Sequence, residues 1–124
     1  MQIRIIWPAG TATATLRTTP TTQALRAALP IRSTANTWGQ EVYFRTPVSR
    51  PVEPDARQVV DPGTVAFWTD GDSLALPFGP TPISRDDECR LASPCNLLGS
   101  LDTDPKTLAT VRDGDPLRVG LVSD

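Results

Sequence analysis

The thirteen prolines of this 124-residue chain constrain its fold more than any other feature of the sequence. Many of them stand at the boundaries of segments that have a strand or helix pattern. Proline lacks a backbone N–H, so it is confined to the ends and edges of strands and to the first turn of helices. The prolines therefore mark turns of a folded chain, and so many turns with so few helical stretches favour a mainly β architecture.

Alternating apolar and polar residues predict the strands. Ile3, Ile5 and Trp7 alternate with polar or outward-facing neighbours over residues 2–7, and residues 11–16 alternate in the same way. The turn at residues 8–10 joins them into an N-terminal hairpin. In residues 69–72, Gly71 is expected to take a positive φ in a second hairpin. Five further strands are predicted, over residues 41–44, 64–68, 73–78, 96–101 and 117–121; residues 46–61 and 80–94 are interpreted as loops.

Two short helices complete the predicted elements. Thr19 and Pro20 form a helix start, and Pro30 ends that helix. A second start lies at residues 103–105, and Gly114 ends it. Because strands lie at both ends of the chain, we expect the terminal strands to pair and close an antiparallel β-barrel, with residues 1–124 as one domain.

Charge and composition restrict the functional classes. The net charge of −2 and the scattered arginines argue against nucleic acid and anionic membranes as partners. No apolar run reaches the roughly 20 residues of a membrane helix, and the first segment lacks a signal-peptide pattern, so we expect the cytoplasm. No histidine is present, which excludes Ser-His and Cys-His triads. No cofactor is expected.

Neither the cysteines nor the acidic run indicates a metal site. Cys89 and Cys95 are too widely spaced for a CxxC motif, and no histidine completes a zinc set. We expect two free thiols, with a disulfide as the alternative that stays open. The run Asp86–Glu88 is interpreted as a solvated loop in preference to a weak cation site.

Five motifs, in order along nearly the whole chain, carry a family resemblance. They read N-T-W-G-x-E-x-Y-F-x-T-P-V, V-V-x-P-G-x-V-A-F-W, L-P-F-G-P-T-P-I-S, N-x-L-G and G-D-x-L-R-V. This succession resembles the small bacterial and archaeal cyclophilin-like proteins. The resemblance implies a cyclophilin-like β-barrel with two helices covering its ends. The same fold serves as a building block in allophanate hydrolase and oxoprolinase subunits.

The resemblance to true cyclophilins is weaker. Those prolyl isomerases carry an F-H-R-type strand whose arginine reaches the prolyl nitrogen. The matching segment here, residues 38–44, has neither histidine nor arginine. We therefore do not expect the chain to inherit prolyl isomerase activity. Arg45, Arg57 and Arg90 are potential donors, but nothing in the sequence assigns any of them to a pocket.

Two stretches predict a binding site, residues 36–44 and 78–84, since both combine aromatic residues with glycine or proline and a few polar groups. We expect a pocket for a small-molecule or peptide-like ligand. Each aromatic side chain could equally belong to the core. The predicted ligand-binding residues are Asn36, Trp38, Phe44, Trp68, Phe78, Thr81 and Ser84.

Glu41 and Tyr43 are the predicted catalytic pair. They share one strand face if alternation holds, and aromatic surroundings can raise the pKa of a carboxyl group. The alternative is that Glu41 faces solvent. Whether the chain is an enzyme stays open at this point; an enzyme of this kind would be an isomerase or cyclase working by shape, desolvation and a carboxylate. The third hypothesis is a non-catalytic subunit that binds a partner through an exposed aromatic patch, as a monomer or weak homodimer.

Overall fold

The computed structural model describes all residues, 1–124, and confirms a mainly β architecture. One α-helix, α1, spans Pro20–Ala28, and 3₁₀ turns span Thr69–Gly71 and Pro105–Thr110. No helix has the length and apolar character needed to cross a bilayer. The ten strands are β1 (Gln2–Trp7), β2 (Gly10–Leu16), β3 (Ile31–Thr34), β4 (Asn36–Thr37), β5 (Glu41–Arg45), β6 (Arg57–Val60), β7 (Thr64–Trp68), β8 (Ser73–Pro77), β9 (Cys89–Leu101) and β10 (Pro116–Ser123).

Both helical segments begin where the sequence predicts. The Thr19 hydroxyl accepts a hydrogen bond from the Thr22 amide at 3.1 Å, and the Thr22 hydroxyl accepts one from the Thr19 amide at 2.7 Å. This reciprocal pair satisfies two backbone donors at the start of α1. The second predicted helix is a 3₁₀ turn, in which Asp104 caps Lys106 and Leu108 is buried. It ends at Thr110, with Val111 as its C-cap, before the glycine predicted to end it.

The prediction of a closed barrel is wrong. The strand order is β3-β10-β1-β2-β9-β7-β8-β5-β4, with β6 paired to β9, and no strand pair joins β3 to β4. The terminal strands β1 and β10 do pair, but they lie inside this order and therefore do not close it. Ala35 separates β3 from β4 and exchanges backbone hydrogen bonds with Gly114 and Asp115. Consequently β3 pairs with β10, β4 pairs with β5, and the sheet stays open between them.

The large sheet has a different set of side chains on each face. Val42 and Phe44 of β5 point into a core of 21 buried residues. The intervening residues of that strand point to the opposite, outer face. On this outer face lies a smaller buried cluster of Ala66, Ala75, Leu91 and Cys95, against which Tyr43, Val60 and Trp68 pack. The period of two along the strands therefore creates two separate apolar regions.

Strand β9 covers part of the outer face and begins earlier than predicted. Its first half pairs with β6, joining Cys89 to Val60 and Cys95 to Arg57, while its second half pairs with β2 and β7. Residues 57–60 and 89–94 were predicted to be loop, and both are strand. Both cysteines are free and buried in this region.

Candidate functional site

A cavity of about 180 Å³ lies on the outer face of the sheet, at the smaller buried cluster. Strands β5, β7, β8 and β9 and the turn before β5 all contribute to its lining. Glu41 is the one charged side chain in this lining. The lining residues are Trp38, Glu41, Tyr43, Trp68, Ala75, Leu91, Ala92 and Cys95.

Strand alternation brings Glu41 and Tyr43 to the cavity together. Val42 and Phe44, on the other face of β5, are buried in the main core. Tyr43 pairs in register with Ala75 on β8, which pairs in turn with Ala66 on β7. Two alanines in one row leave space above the sheet, because a methyl side chain cannot fill it. The same alternation that builds the core therefore also opens the cavity.

Trp38 lies on the turn between β4 and β5, and the second aromatic and proline-rich stretch holds this turn in place. Gly39 has φ of +59°, and a Cβ there would lie 2.9 Å from the Pro80 carbonyl oxygen. The Gln40 amide donates to that oxygen at 2.9 Å, and the Phe78 amide donates to the Gln40 carbonyl at 2.8 Å. Residues 78–84 therefore support the turn that carries Trp38.

Trp68 is fixed by contacts on two sides. Its indole Nε1 donates to the Ser93 hydroxyl at 3.1 Å, and its ring meets Tyr43 edge to face with centroids 6.0 Å apart. A Cβ on Gly71 would lie 2.3 Å from the Trp68 ring. Glycine is needed at residue 71 for this close approach, whereas the positive φ predicted there belongs to Asp72, at +49°. Trp68 is therefore a rigid wall of the cavity.

Glu41 is buried without compensation. The residue is 5% exposed, and its Oε1 atom has no hydrogen-bond partner. Burial raises the pKa of this carboxyl group to about 7. Buried carboxylates are normally paired or hydrogen-bonded, so an unpartnered oxygen at a cavity wall requires an explanation.

Two thiols lie near this carboxyl group. Burial, and then the charges of Glu41 and Asp70, raise the pKa of Cys95 to about 12. Burial, followed by the charges of Asp61, Glu41 and Asp87, also raises the pKa of Cys89. Thiols held in the neutral form are poor nucleophiles and poor metal ligands. The structure has no group of three His, Cys, Asp or Glu side chains that could hold a metal ion.

Four of the nine predicted site residues line the cavity: Trp38, Glu41, Tyr43 and Trp68. Phe44 is fully buried in the main core, and Phe78 packs against that core. Asn36 donates its amide to the Tyr43 carbonyl at 3.4 Å, on the edge strand β4.

Thr81 and Ser84 bond to each other and to the start of β9. The Ser84 hydroxyl accepts from the Thr81 amide at 2.8 Å and from the Arg90 amide at 3.2 Å. The Thr81 hydroxyl donates to the Arg90 carbonyl at 2.5 Å. Both hydroxyls therefore hold the loop that supports the Trp38 turn, and neither lines the cavity.

Four lining residues were not predicted from the sequence: Ala75, Leu91, Ala92 and Cys95. Cys89, Leu91 and Cys95 are buried at odd-numbered positions of β9. This period of two was a usable signal for a strand. Pro94 interrupts this pattern, and because proline normally argues against a strand interior, residues 89–94 were predicted to be loop.

Comparisons with known proteins agree with this fold. The family model described as cyclophilin-like matches residues 1–120. A hypothetical protein from Archaeoglobus fulgidus with a known solution structure is 37% identical, over 98% of this chain and 95% of that one, and superimposes with a TM-score of 0.85. No curated protein matches. The sequence motifs, the topology and the family match all lead to one conclusion: the chain belongs to the cyclophilin-like family.

Proposed function

We propose that the outer-face cavity binds a small molecule or a peptide-like group, with Glu41 as its polar anchor. The observation that carries this proposal is the Oε1 atom of Glu41, which is buried at the cavity without a hydrogen-bond partner. A mostly apolar cavity with one polar group is typical of ligand sites, because the apolar walls supply affinity and the polar group fixes orientation. A ligand that donates a hydrogen bond would satisfy this oxygen.

The size of the cavity limits the ligand. Drug-sized ligands occupy pockets of about 300–1,000 Å³, whereas an engineered cavity of about 150 Å³ in another protein accepts benzene. At about 180 Å³, this cavity has room for one small ring or one branched head group. A larger ligand would therefore insert only one end.

A catalytic role for Glu41 is the second candidate, since its pKa of about 7 suits a general acid or base near neutral pH. Tyr43 lies on the same strand face and completes the proposed pair. This version is an isomerase or cyclase that works by desolvation and one carboxyl group. A carboxyl carbon of Glu41 that titrates by NMR with a midpoint near 7 would support it, and a midpoint near 4.5 would contradict it.

Prolyl isomerase activity is not part of the proposal. The segment that corresponds to the cyclophilin F-H-R strand carries Trp38, Glu41 and Tyr43 at the cavity and no arginine. In a proline peptide assay we expect the uncatalysed rate. An acceleration that tracks protein concentration would contradict this expectation.

The partner-binding alternative gains no specific support. A partner-binding role of this kind requires an exposed aromatic patch. The exposed large apolar side chains are Val52, Ile83, Leu121 and Val122. None of these is aromatic, and Trp68 is half-buried in the cavity wall. Isolated apolar residues at a surface are ordinary.

NMR of the three tryptophan indoles tests ligand binding. Trp38 and Trp68 line the cavity. Trp7 packs in the main core, donates to the Thr110 hydroxyl at 2.9 Å and serves as an internal reference. We expect phenol or N-acetylprolinamide to shift the two cavity indoles saturably and to leave Trp7 unchanged. Ala75→Leu should abolish these shifts, because a larger side chain fills the cavity. Absence of saturable shifts with these two neutral probes and with the small cation choline would contradict the proposal.

A further inference from the structure

We propose that the ligand of this cavity is a small organic cation, an alkylated ammonium group, held by Glu41 and the rings of Trp38, Tyr43 and Trp68. This inference rests on the proposed function and specifies its ligand class. The lining has one acidic side chain, three aromatic rings and no lysine or arginine. Such a lining lacks a counter-charge for its carboxylate and is rich in surfaces that attract a positive charge.

Glu41 gives the cavity its preference for a positive charge. A buried carboxylate without a partner is unfavourable, and the two remedies are a bound proton or a nearby positive charge. Here burial is the cause of the raised pKa of Glu41, with no opposing contribution from a basic side chain. A cationic ligand would supply the missing positive charge and would favour the ionised carboxylate.

The aromatic rings support the same ligand class. Aromatic faces attract cations within about 6 Å of the ring centroid, and ammonium groups with methyl substituents are bound in this way. The planes of Tyr43 and Trp68 meet at 84°, so their rings form a corner and not a flat stack. The indole N–H of Trp68 is already bonded to Ser93, which leaves the ring itself as the surface that Trp68 offers.

The size of the cavity selects a compact head group. A cavity of about 180 Å³ accommodates a quaternary or tertiary ammonium with small substituents. Such a group could belong to a free small molecule or to a methylated lysine of a peptide. The shared chemistry is the alkylated ammonium, and two separate probes distinguish these sources.

A matched pair of probes tests the charge. Choline and 3,3-dimethylbutan-1-ol have the same shape and differ by one atom, since carbon replaces the charged nitrogen. At pH 8 we expect choline to bind at least about tenfold more tightly than the alcohol. The Trp38 and Trp68 indole signals follow the binding of each probe. Equal affinities, or tighter binding of the neutral alcohol, would overturn the cation inference and leave the proposed ligand site standing.

Other outcomes separate the two proposals. If phenol shifts the cavity indoles while choline does not, the cation inference fails alone. If none of the probes binds, both proposals fail. N-acetyl-trimethyllysine amide tests the peptide source: binding tighter than that of choline assigns the cation to a peptide, and weaker binding assigns it to a small molecule.

Glu41→Gln is the matched variant, because glutamine has the same shape without the charge. We expect the ratio of choline affinity to alcohol affinity to fall severalfold in this variant but to stay above one, because the aromatic rings still attract the cation. Thermal unfolding and the Trp7 signal verify that the variant folds. A folded variant that keeps the full preference for choline would overturn the role of the carboxylate.

The pH dependence is a second readout. The titratable groups beside Glu41 in the lining are Tyr43 on its own strand and Cys95 on β9, and the charge of Glu41 also acts on Cys89 of β9. The pKa values of both thiols are raised above their ordinary range. The thiols therefore remain protonated between pH 6 and 8. Choline affinity is expected to fall severalfold from pH 8 to pH 6, by at most about tenfold, because protonation of Glu41 leaves only the rings to attract the cation; alcohol affinity should stay constant. Equal pH dependence for both probes would contradict the inference.

Discussion

Tyr43 and Trp68 meet edge to face, with ring centroids 6.0 Å apart, although their strands are not neighbours in the sheet. Strand β8 lies between β5 and β7, and it places Ala75 in the cavity floor between them. The small side chain on the central strand lets the two larger rings come together above it. This contact defines one corner of the cavity and links its shape to strand register.

A double-mutant cycle should detect this contact. Tyr43→Leu and Trp68→Leu are expected to show a coupling of about 0.5–1.5 kcal/mol in the free energy of unfolding, because edge-to-face pairs contribute that much beyond area burial. Urea denaturation of the four proteins measures it. Tyr43→Leu combined with Phe67→Leu is the control, since Phe67 is in the main core on the other face. Equal coupling in both cycles would contradict a specific ring–ring contact.

The contribution of Glu41 to the stability of the protein should fall as the pH rises. The pKa of this carboxyl group is 4.5 in the unfolded chain and about 7 in the folded protein. Between these pH values the folded state therefore binds more protons than the unfolded state. Free energy of unfolding then decreases with pH. The stabilisation is fully present below pH 4.5 and lost above pH 7, and it amounts to about 3 kcal/mol.

Glu41→Gln isolates this contribution from other titrating groups. Urea denaturation of wild type and variant between pH 4 and 8 gives the difference in free energy of unfolding at each pH. From pH 4 to pH 8, we expect the free energy of unfolding of the variant to rise by about 3 kcal/mol relative to that of the wild type. A difference that does not change with pH would show that Glu41 titrates alike in the folded and unfolded states.

Local patterns in the sequence predicted the elements that position half of the cavity. Alternation over residues 41–44 assigned Glu41 and Tyr43 to one face, and the structure confirms that assignment. Thr19 and Pro20 predicted the start of α1, which the structure also confirms. These inferences succeeded because they depend on neighbours within a few residues.

Features that depend on distant pairing were not predictable in the same way. Pairing of β1 with β10 followed from the ends of the chain, but the pattern could not show that β3 and β4 would each take a different partner. The outer wall of the cavity was missed because Cys95 and Leu91 lie on either side of Pro94. Trp68 and Phe67 alternate, yet only the register of β7 shows which of them faces the core.

Ser84 is expected to stabilise the fold without contributing to ligand binding. Ser84→Ala removes the acceptor for the backbone amides of Thr81 and Arg90, and we expect a loss of about 1–3 kcal/mol in the free energy of unfolding. Phenol should still shift the Trp38 and Trp68 indoles.

Ile83→Ala is the control in the same loop, because Ile83 is exposed and its truncation should change stability by no more than about 0.5 kcal/mol. Loss of phenol binding in a folded Ser84→Ala protein would show that Ser84 contributes to the binding site, as the sequence predicts.

Cys95 should react slowly with thiol reagents although it lines the cavity. At pH 8, a pKa of about 12 in place of 9.0 lowers the thiolate fraction, so we expect modification by a disulfide reagent to be about 10³-fold slower in the folded protein than in urea. A Cys89→Ser background isolates the Cys95 signal. Comparable rates in the folded and unfolded protein would contradict a raised thiol pKa.

The same reaction reports on the charge of Glu41. Burial is the main cause of the raised pKa of Cys95, and the Glu41 carboxylate is the next. Glu41→Gln removes that charge, so the Cys95 pKa should fall and the reaction should become faster. Asp61→Asn is the matched control, because Asp61 acts on Cys89 and is not among the charges that raise the pKa of Cys95. If both substitutions change the rate equally, general loosening of the fold and not a carboxylate facing Cys95 would explain the effect.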